Sequence, residues 1–174
     1  MIAQPFQTNL IAAEVWEDAF ANFLVQERGW SVLPTCDLQD GYQHAPKFNG
    51  ANRDLIVPDL LAARDGVMRW FEVKHKSHAN LHYKSQRLVT GLALHCWNDY
   101  LRVQDITGTE VVVMFIHAQE GVVCGGTLKE LTAHISHRYT ATLMDKEGTL
   151  FFKFDNLPRW ISTAQLEKYM EKQS

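Results

Sequence analysis

The stretch from Leu55 to His75 reads LIVPDLLAARDGVMRWFEVKH, two apolar, strand-like runs on either side of Arg64-Asp65-Gly66. Asp-Gly between such runs is among the strongest short-range hairpin signals, because a tight hairpin turn needs positive φ at its central residues. A turn centred on Asp65-Gly66 sets Asp59 opposite Glu72 and Val57 opposite Lys74, and a two-residue or four-residue loop gives the same register. Strand side chains alternate, so Glu72 and Lys74 share a face and Asp59 points to it. Like charges opposed among Leu60, Leu61, Trp70, Phe71 and Val73 are unfavourable unless something cationic lies between them.

Lys74 can neutralise one of these charges. Two hard carboxylate oxygens held close together also suit a Mg²⁺ or Mn²⁺ cofactor, which keeps several waters and takes a phosphate oxygen as a further ligand. Such an ion polarises a phosphoryl group and lowers the pKa of a bound water. Lys74 would orient or deprotonate that water, or stabilise charge on the phosphate. The chemistry expected is phosphodiester hydrolysis. The bland alternative is a surface hairpin whose Asp59, Glu72 and Lys74 form a solvated ion-pair cluster that binds nothing.

Outward from the hairpin, the 174 residues carry no repeat or low-complexity tract, and a single domain over residues 1–174 is expected. From about Asn9 to Glu27 the residues Trp16, Ala19, Phe20, Phe23 and Leu24 recur at helical spacing, with Gly29 at the expected stop. Trp30 to Leu33 reads as a short strand and Pro34 to Asn52 as a long loop, a place to look for substrate contacts. Downstream, Leu92, Cys96, Tyr100, Val103 and Ile106 share one helical face, and Val111 to His117 is a buried strand. Cys124-Gly125-Gly126 looks like a turn. Thr127 with Glu130 and Ser162 with Gln165 have capping-box spacing, and Tyr139–Met144 and Thr149–Phe154 flank a second turn as a C-terminal hairpin. The fold class is α/β (α+β), one mixed β-sheet with helices on its faces.

Pro58-Asp59, then twelve positions, then Glu72-Val73-Lys74, resembles the signature of the PD-(D/E)XK, restriction-endonuclease-like nuclease superfamily. The resemblance implies an α-β-β-β-α-β core, a Mg²⁺- or Mn²⁺-dependent nuclease, and metal ligands Asp59, Glu72 and the Val73 carbonyl, with Lys74 positioning the nucleophile. It also implies a glutamate from the first helix. Glu17 is the better candidate, about 20° from Leu24 and 60° from Phe20 on a helical wheel, with Glu14 farther toward solvent. A Gln on the helix after the lysine strand is likewise implied, and Gln86 is similar. The stretch Gly91-Leu92 through His95 and Trp97 to Gln104 is similar to uncharacterised phage and prophage members, pointing to mobile-element DNA and nothing finer; DNA processing or recombination of a Holliday-junction-resolvase-like kind is one role open to such a nuclease.

The balance of 17 Lys+Arg against 20 Asp+Glu excludes a general basic coat, so a polyanion site must be local. Between Arg69 and Arg87 five Lys/Arg stand against Glu72 alone. Lys76, His78, His82, Lys84 and Arg87 are therefore the expected nucleic-acid contacts, and Tyr83 is a candidate for stacking on an unpaired base. DNA is the expected partner, with RNA still open, and a homodimer would put two sites on two strands. The alternative is a non-catalytic nucleic-acid-binding module on the same fold. His75, His78 and His82 have zinc-like spacing only if helical, which the strand assignment opposes. Cys36, Cys96 and Cys124 read as reduced thiols. No run approaches the ~20 apolar residues of a membrane-spanning helix and the start lacks a secretory pattern, so no membrane and a cytoplasmic location are expected.

Overall fold

The Asp65-Gly66 turn closes as its composition demands: both residues have positive φ, 52° and 77°, and Arg64 pairs with Val67 across it. This computed structural model describes residues 4–35, 37–39, 42–44, 47–48, 54–139 and 148–170. The chain begins with α1 (Gln4–Arg28) and β1 (Ser31–Pro34). Two small ribbons follow, β2 (Asp37–Gln39) with β3 (Tyr42–His44) and β4 (Lys47–Phe48) with β5 (Leu55–Ile56). The hairpin strands β6 (Leu60–Arg64) and β7 (Val67–Lys76) lead to β8 (Asn80–His82), β9 (Arg87–Ala93) and α2 (Leu94–Thr107). The remainder is β10 (Glu110–His117), β11 (Val122–Thr127), α3 (Leu128–Ala133), β12 (Ile135–Tyr139), β13 (Thr149–Lys153), β14 (Arg159–Ser162) and α4 (Thr163–Glu167).

The main sheet is six-stranded in the order β1-β6-β7-β10-β11-β14, with β10 parallel to β7 and every other pair antiparallel. Taken in chain order, α1, β1, β6, β7, α2 and β10 give the α-β-β-β-α-β order that the resemblance implies. A parallel neighbour needs a crossover, and the connection through β8, β9 and α2 supplies it. Alternation along β7 divides the core in two. Phe71 and Val73 pack with Phe20 and Leu24 of α1 and with Met114 and Ile116 of β10. Trp70 joins Trp97, Tyr100 and Val103 of α2 and Val113 and Phe115 of β10 on the opposite face. Each fully buried side chain of this kind contributes roughly 1.5–3 kcal/mol, so two or three of them offset the several kcal/mol of a buried carboxylate such as Glu72.

Several expectations are revised. A second, four-stranded sheet, β12-β13-β9-β8, accompanies the expected mixed sheet. The C-terminal hairpin is real, but its first strand starts earlier, with Tyr139 paired to Thr149, and residues 140–147 lie outside the described residues. Cys124-Gly125-Gly126 is strand, not turn: Gly125 pairs with Met114, and a Cβ there would stand 2.0 Å from the Val113 carbonyl oxygen. Ile106 leaves the apolar face of α2 and is 66% exposed, because the helix ends at once in Gly108, whose positive φ caps it with a bond to the Gln104 carbonyl. The Pro34–Asn52 loop contains β2, β3 and β4. Both capping boxes form as expected. Cys96 and Cys124 are free thiols, and Cys36 lies outside the described residues.

Candidate active site

Pairing of β6 with β7 starts at Leu60↔Phe71, so Asp59 is the residue just before the ladder, in register with Glu72. The Thr35 N–H donates to the Asp59 carbonyl at 2.9 Å, and Thr35 Oγ1 lies 2.6 and 2.8 Å from the Pro58 and Asp59 carbonyls, fixing the backbone there. With no β6 partner left at this point, the Val73 N–H donates to Asp59 Oδ2 at 2.8 Å. In a strand a residue's N–H and C=O point to the same edge, so the Val73 carbonyl is directed to the Asp59 side. Glu72 is buried, 1% exposed, and ion-paired to the half-buried Lys74. The Glu72 carboxylate thus has Lys74 and the Tyr100 hydroxyl as its polar partners.

The groups that feel one another identify the rest of the site. Burial, then the Glu72 charge, raises the Asp59 carboxyl well above its ordinary range, with Lys74 opposing and Glu17 adding to the rise. Burial lifts Glu17 to about 7, against the pull of Lys74 and with help from Glu72. Glu17 on α1 thus feels the Lys74 and Glu72 charges. Burial alone would lower Lys74, but the Glu72 and Asp59 carboxylates outweigh it and hold the ammonium above the usual lysine range. Two residues that the sequence places only on the apolar face of a helix also adjoin Glu72, both from α2. Burial followed by the Glu72 charge raises the Tyr100 phenol, whose hydroxyl meets the Glu72 carboxylate, and raises Cys96 to about 11. Both look like core positions in the sequence, and no periodicity could reveal that Tyr100 presents its hydroxyl to an acid.

The donor set bears on a divalent cation directly. No three His, Cys, Asp or Glu side chains among the described residues come together to hold an ion by themselves. The fit is to a hard cation with few protein ligands: the Glu72 carboxylate, now facing Lys74, the second Asp59 oxygen and the Val73 carbonyl leave the other positions to water and phosphate. Lys74 holds the cationic place in the protein by itself.

The other expected residues separate from this cluster. Gln86 is not on a helix, because β9 intervenes between the lysine strand and α2. It sits at positive φ, 52°, in the β8–β9 turn, exposed, with its Nε2 on the Tyr83 carbonyl at 2.5 Å. Lys76 is partly buried, and burial followed by the Lys74 charge lowers its pKa. His78, Lys84 and Arg87 are exposed. His75 stacks on Trp16 at 5.6 Å, and His82 on His137 of β12 at 4.0 Å, so the zinc spacing gathers no common face. His137 in turn stacks on Phe151 at 4.7 Å, and Tyr139 meets both rings edge-on. Tyr83 is 87% exposed and packs on nothing that would explain it as core.

No protein-family model matches the chain, and no curated protein does. Among solved structures the chain is similar to Hjc, a Holliday junction resolvase from Archaeoglobus fulgidus, with a TM-score of 0.47 and 12% identity over 86% of this chain and 92% of that one. It is also similar to D212, a nuclease from a fusselovirus, with a TM-score of 0.45 and 8% identity over 98% and 94% of the two chains. No helix among the described residues is long and apolar enough to cross a membrane.

Proposed function

We propose that the chain is a divalent-metal-dependent nuclease that hydrolyses DNA phosphodiester bonds. One observation carries this reading: where the β6–β7 ladder ends, Asp59 stands in register with the buried Glu72, and Lys74 is the cation both acids share, with Glu17 of α1 feeling the same charges. Two buried acids sharing one ammonium leave negative charge under-compensated, and a site that retains them is suited to a further cation. Asp59, Glu72 and the Val73 carbonyl would hold Mg²⁺ or Mn²⁺, with Glu17 completing the set, and the ion would supply phosphoryl polarisation and a more acidic water.

The chain's own groups do the rest. The Asp59 to Val73 hydrogen bond fixes the carboxylate against the strand end. Lys74, held as an ammonium by Glu72 and Asp59, is a donor poised to orient the attacking water or to meet charge growing on the phosphate. With its pKa near 7, Glu17 can hold or release a proton at neutral pH. Gln86, remote in a surface turn, is given no part in the chemistry.

DNA is supported as substrate by charge placement. The four strands of the second sheet and the 83–86 turn contain Lys84, Arg87, Arg138 and Lys153 and no Asp or Glu. Phosphate contacts there give affinity without sequence preference, and the exposed Tyr83 suits an unpaired base. A role on branched or mobile-element DNA, and a dimer presenting two sites, extend the same reading. The test is cleavage of branched, linear duplex and single-stranded DNA with Mg²⁺, Mn²⁺ or EDTA, by wild type, Glu72→Ala and Lys74→Ala. Metal-dependent cutting lost in both variants, with unchanged circular dichroism, supports it.

The second reading is a nucleic-acid-binding module that does not cut, and the Lys74–Glu72 ion pair favours it because the site already contains its own cation. Retained DNA binding with no cutting in either metal decides for that reading.

A further inference from the structure

At the turn end of the β6–β7 hairpin, away from Asp59 and Glu72, a cavity of about 330 Å³ is lined by Arg28, Trp30, Arg64, Arg69, Arg159 and Trp160. Four of the chain's eight arginines meet there, with no lysine and no acidic residue in the lining among the described residues, in a protein of net charge -3. Arg69 and Glu72 are an odd number of residues apart on β7, so their side chains point to opposite faces of the sheet.

The arginines are held in two ways. Arg64 Nη1 donates to the Arg28 carbonyl at 2.7 Å, and its guanidinium lies 5.0 Å from the Trp30 ring centre. Arg69 lies 6.0 Å from the same ring, with its Nε 3.0 Å from Glu110. Arg28 and Arg159 rest on Phe23 and Phe154 at 5.4 and 5.2 Å, and among the described residues neither has a carboxylate at ion-pair distance. Counting Glu110 and the 88% exposed Asp65 that faces Arg64, four cations still exceed two anions. Like charges gathered this closely repel unless an anion joins them, and preordered guanidinium forks match phosphate bidentately where lysine would give only a point charge.

We propose that this cavity binds a phosphate group beside a nucleobase, a nucleotide unit, at a site separate from the carboxylate cluster. Its volume falls at the lower end of the ~300–1,000 Å³ of small-ligand pockets, and the half-buried Trp160 indole offers stacking area for the base. The nucleotide is either free or part of a strand. Binding requires no cleavage, so the site stands apart from the nuclease reading.

Wild type, Arg28→Gln/Arg159→Gln, and the matching Lys/Lys variant are titrated in EDTA at constant ionic strength, with calorimetry and tryptophan fluorescence as readouts. The probes are inorganic pyrophosphate, deoxyadenosine monophosphate, and a short oligonucleotide with and without a 5′-phosphate. Both substituted side chains are exposed, and Arg159→Gln alone serves if the double variant melts early. The expected result is mononucleotide or oligonucleotide binding that weakens at least tenfold in the Gln/Gln variant and recovers only in part with Lys/Lys. Mononucleotide binding identifies a free ligand, and oligonucleotide binding alone identifies a strand. Pyrophosphate binding without either, binding by none of the probes, or affinity that the Gln/Gln variant keeps within twofold overturns the proposal. Because EDTA silences metal chemistry, failure of the cleavage experiment leaves these outcomes readable.

Discussion

Asp59 Oδ2 accepts the Val73 N–H at 2.8 Å, so a side chain takes over the ladder at the point where the backbone of β6 leaves it. The strand edge beyond is thereby opened beside Glu72 and Lys74, and α1 can bring Glu17 to the same charges from the other layer. The site follows from a ladder that stops one residue short of its acid.

Asp59 and Glu72, buried acids whose charges oppose each other, should cost stability when no metal is bound. Asp59→Asn, which keeps an oxygen for Val73, is expected to stabilise the protein in EDTA by about 1 kcal/mol, or ~2–4 °C in Tm, while abolishing metal-dependent cleavage. Thermal melts with and without Mn²⁺ check this, and a variant less stable than wild type in EDTA would show that the acids are not in conflict.

Removing the cation has the opposite sign. Lys74→Met leaves Glu72 buried without its counter-ion and should lose about 3 kcal/mol in EDTA, measured by urea unfolding, with part of that recovered on adding Mn²⁺. An unchanged unfolding midpoint would mean that the ion pair is solvated and inconsequential.

Glu17 gives a pH signature. Its carboxyl ionises near 7 in the folded protein against 4.5 ordinarily, so between those values the folded state keeps a proton that the unfolded chain has lost. Stability contributed by the protonated form is complete below 4.5, falls as pH rises to 7, and is gone above it. His117 works in reverse: burial lowers it from 6.5 to about 4, so stability rises with pH through that interval. The two partly cancel, and the comparison that isolates Glu17 is wild type against Glu17→Gln. The variant should gain about 2 kcal/mol relative to wild type between pH 5 and 7. Parallel stability curves would remove Glu17 from the cluster.

Tyr83 tests the DNA face. Tyr83→Ala is expected to weaken single-stranded DNA binding about fivefold or more in EDTA with little change for duplex, and Tyr83→Phe to restore it, because stacking needs the ring and not the hydroxyl. Fluorescence anisotropy reads both, and equal losses on the two substrates would assign Tyr83 a role other than stacking.

The sequence carries the hairpin because Asp65 and Gly66 leave one turn geometry open, and register then follows by alternation. Glu17 is legible for a related reason, since its neighbours Phe20 and Leu24 orient the helix. Gln86 is misplaced because β9 comes before α2. The run Leu88-Val89-Thr90-Gly91-Leu92 has strand composition, but its partners, residues 149–153, are far away in sequence, and pairing at that distance leaves no local trace. Tyr100 reads as core and is core, at 1% exposure, and only the assembled fold shows an acid at its hydroxyl. Tyr83 illustrates the reverse case, where exposure rather than sequence separates a stacking surface from packing.

The most direct test of the account is calorimetric titration of Mn²⁺ into wild type and Glu72→Ala, with DNA present to supply the phosphate ligand and circular dichroism showing both proteins folded. The account predicts binding by wild type, with proton release near pH 7 as the raised carboxyls ionise, and at least a tenfold loss in Glu72→Ala. Equal binding by the two proteins, or none by wild type at several millimolar Mn²⁺, would contradict it.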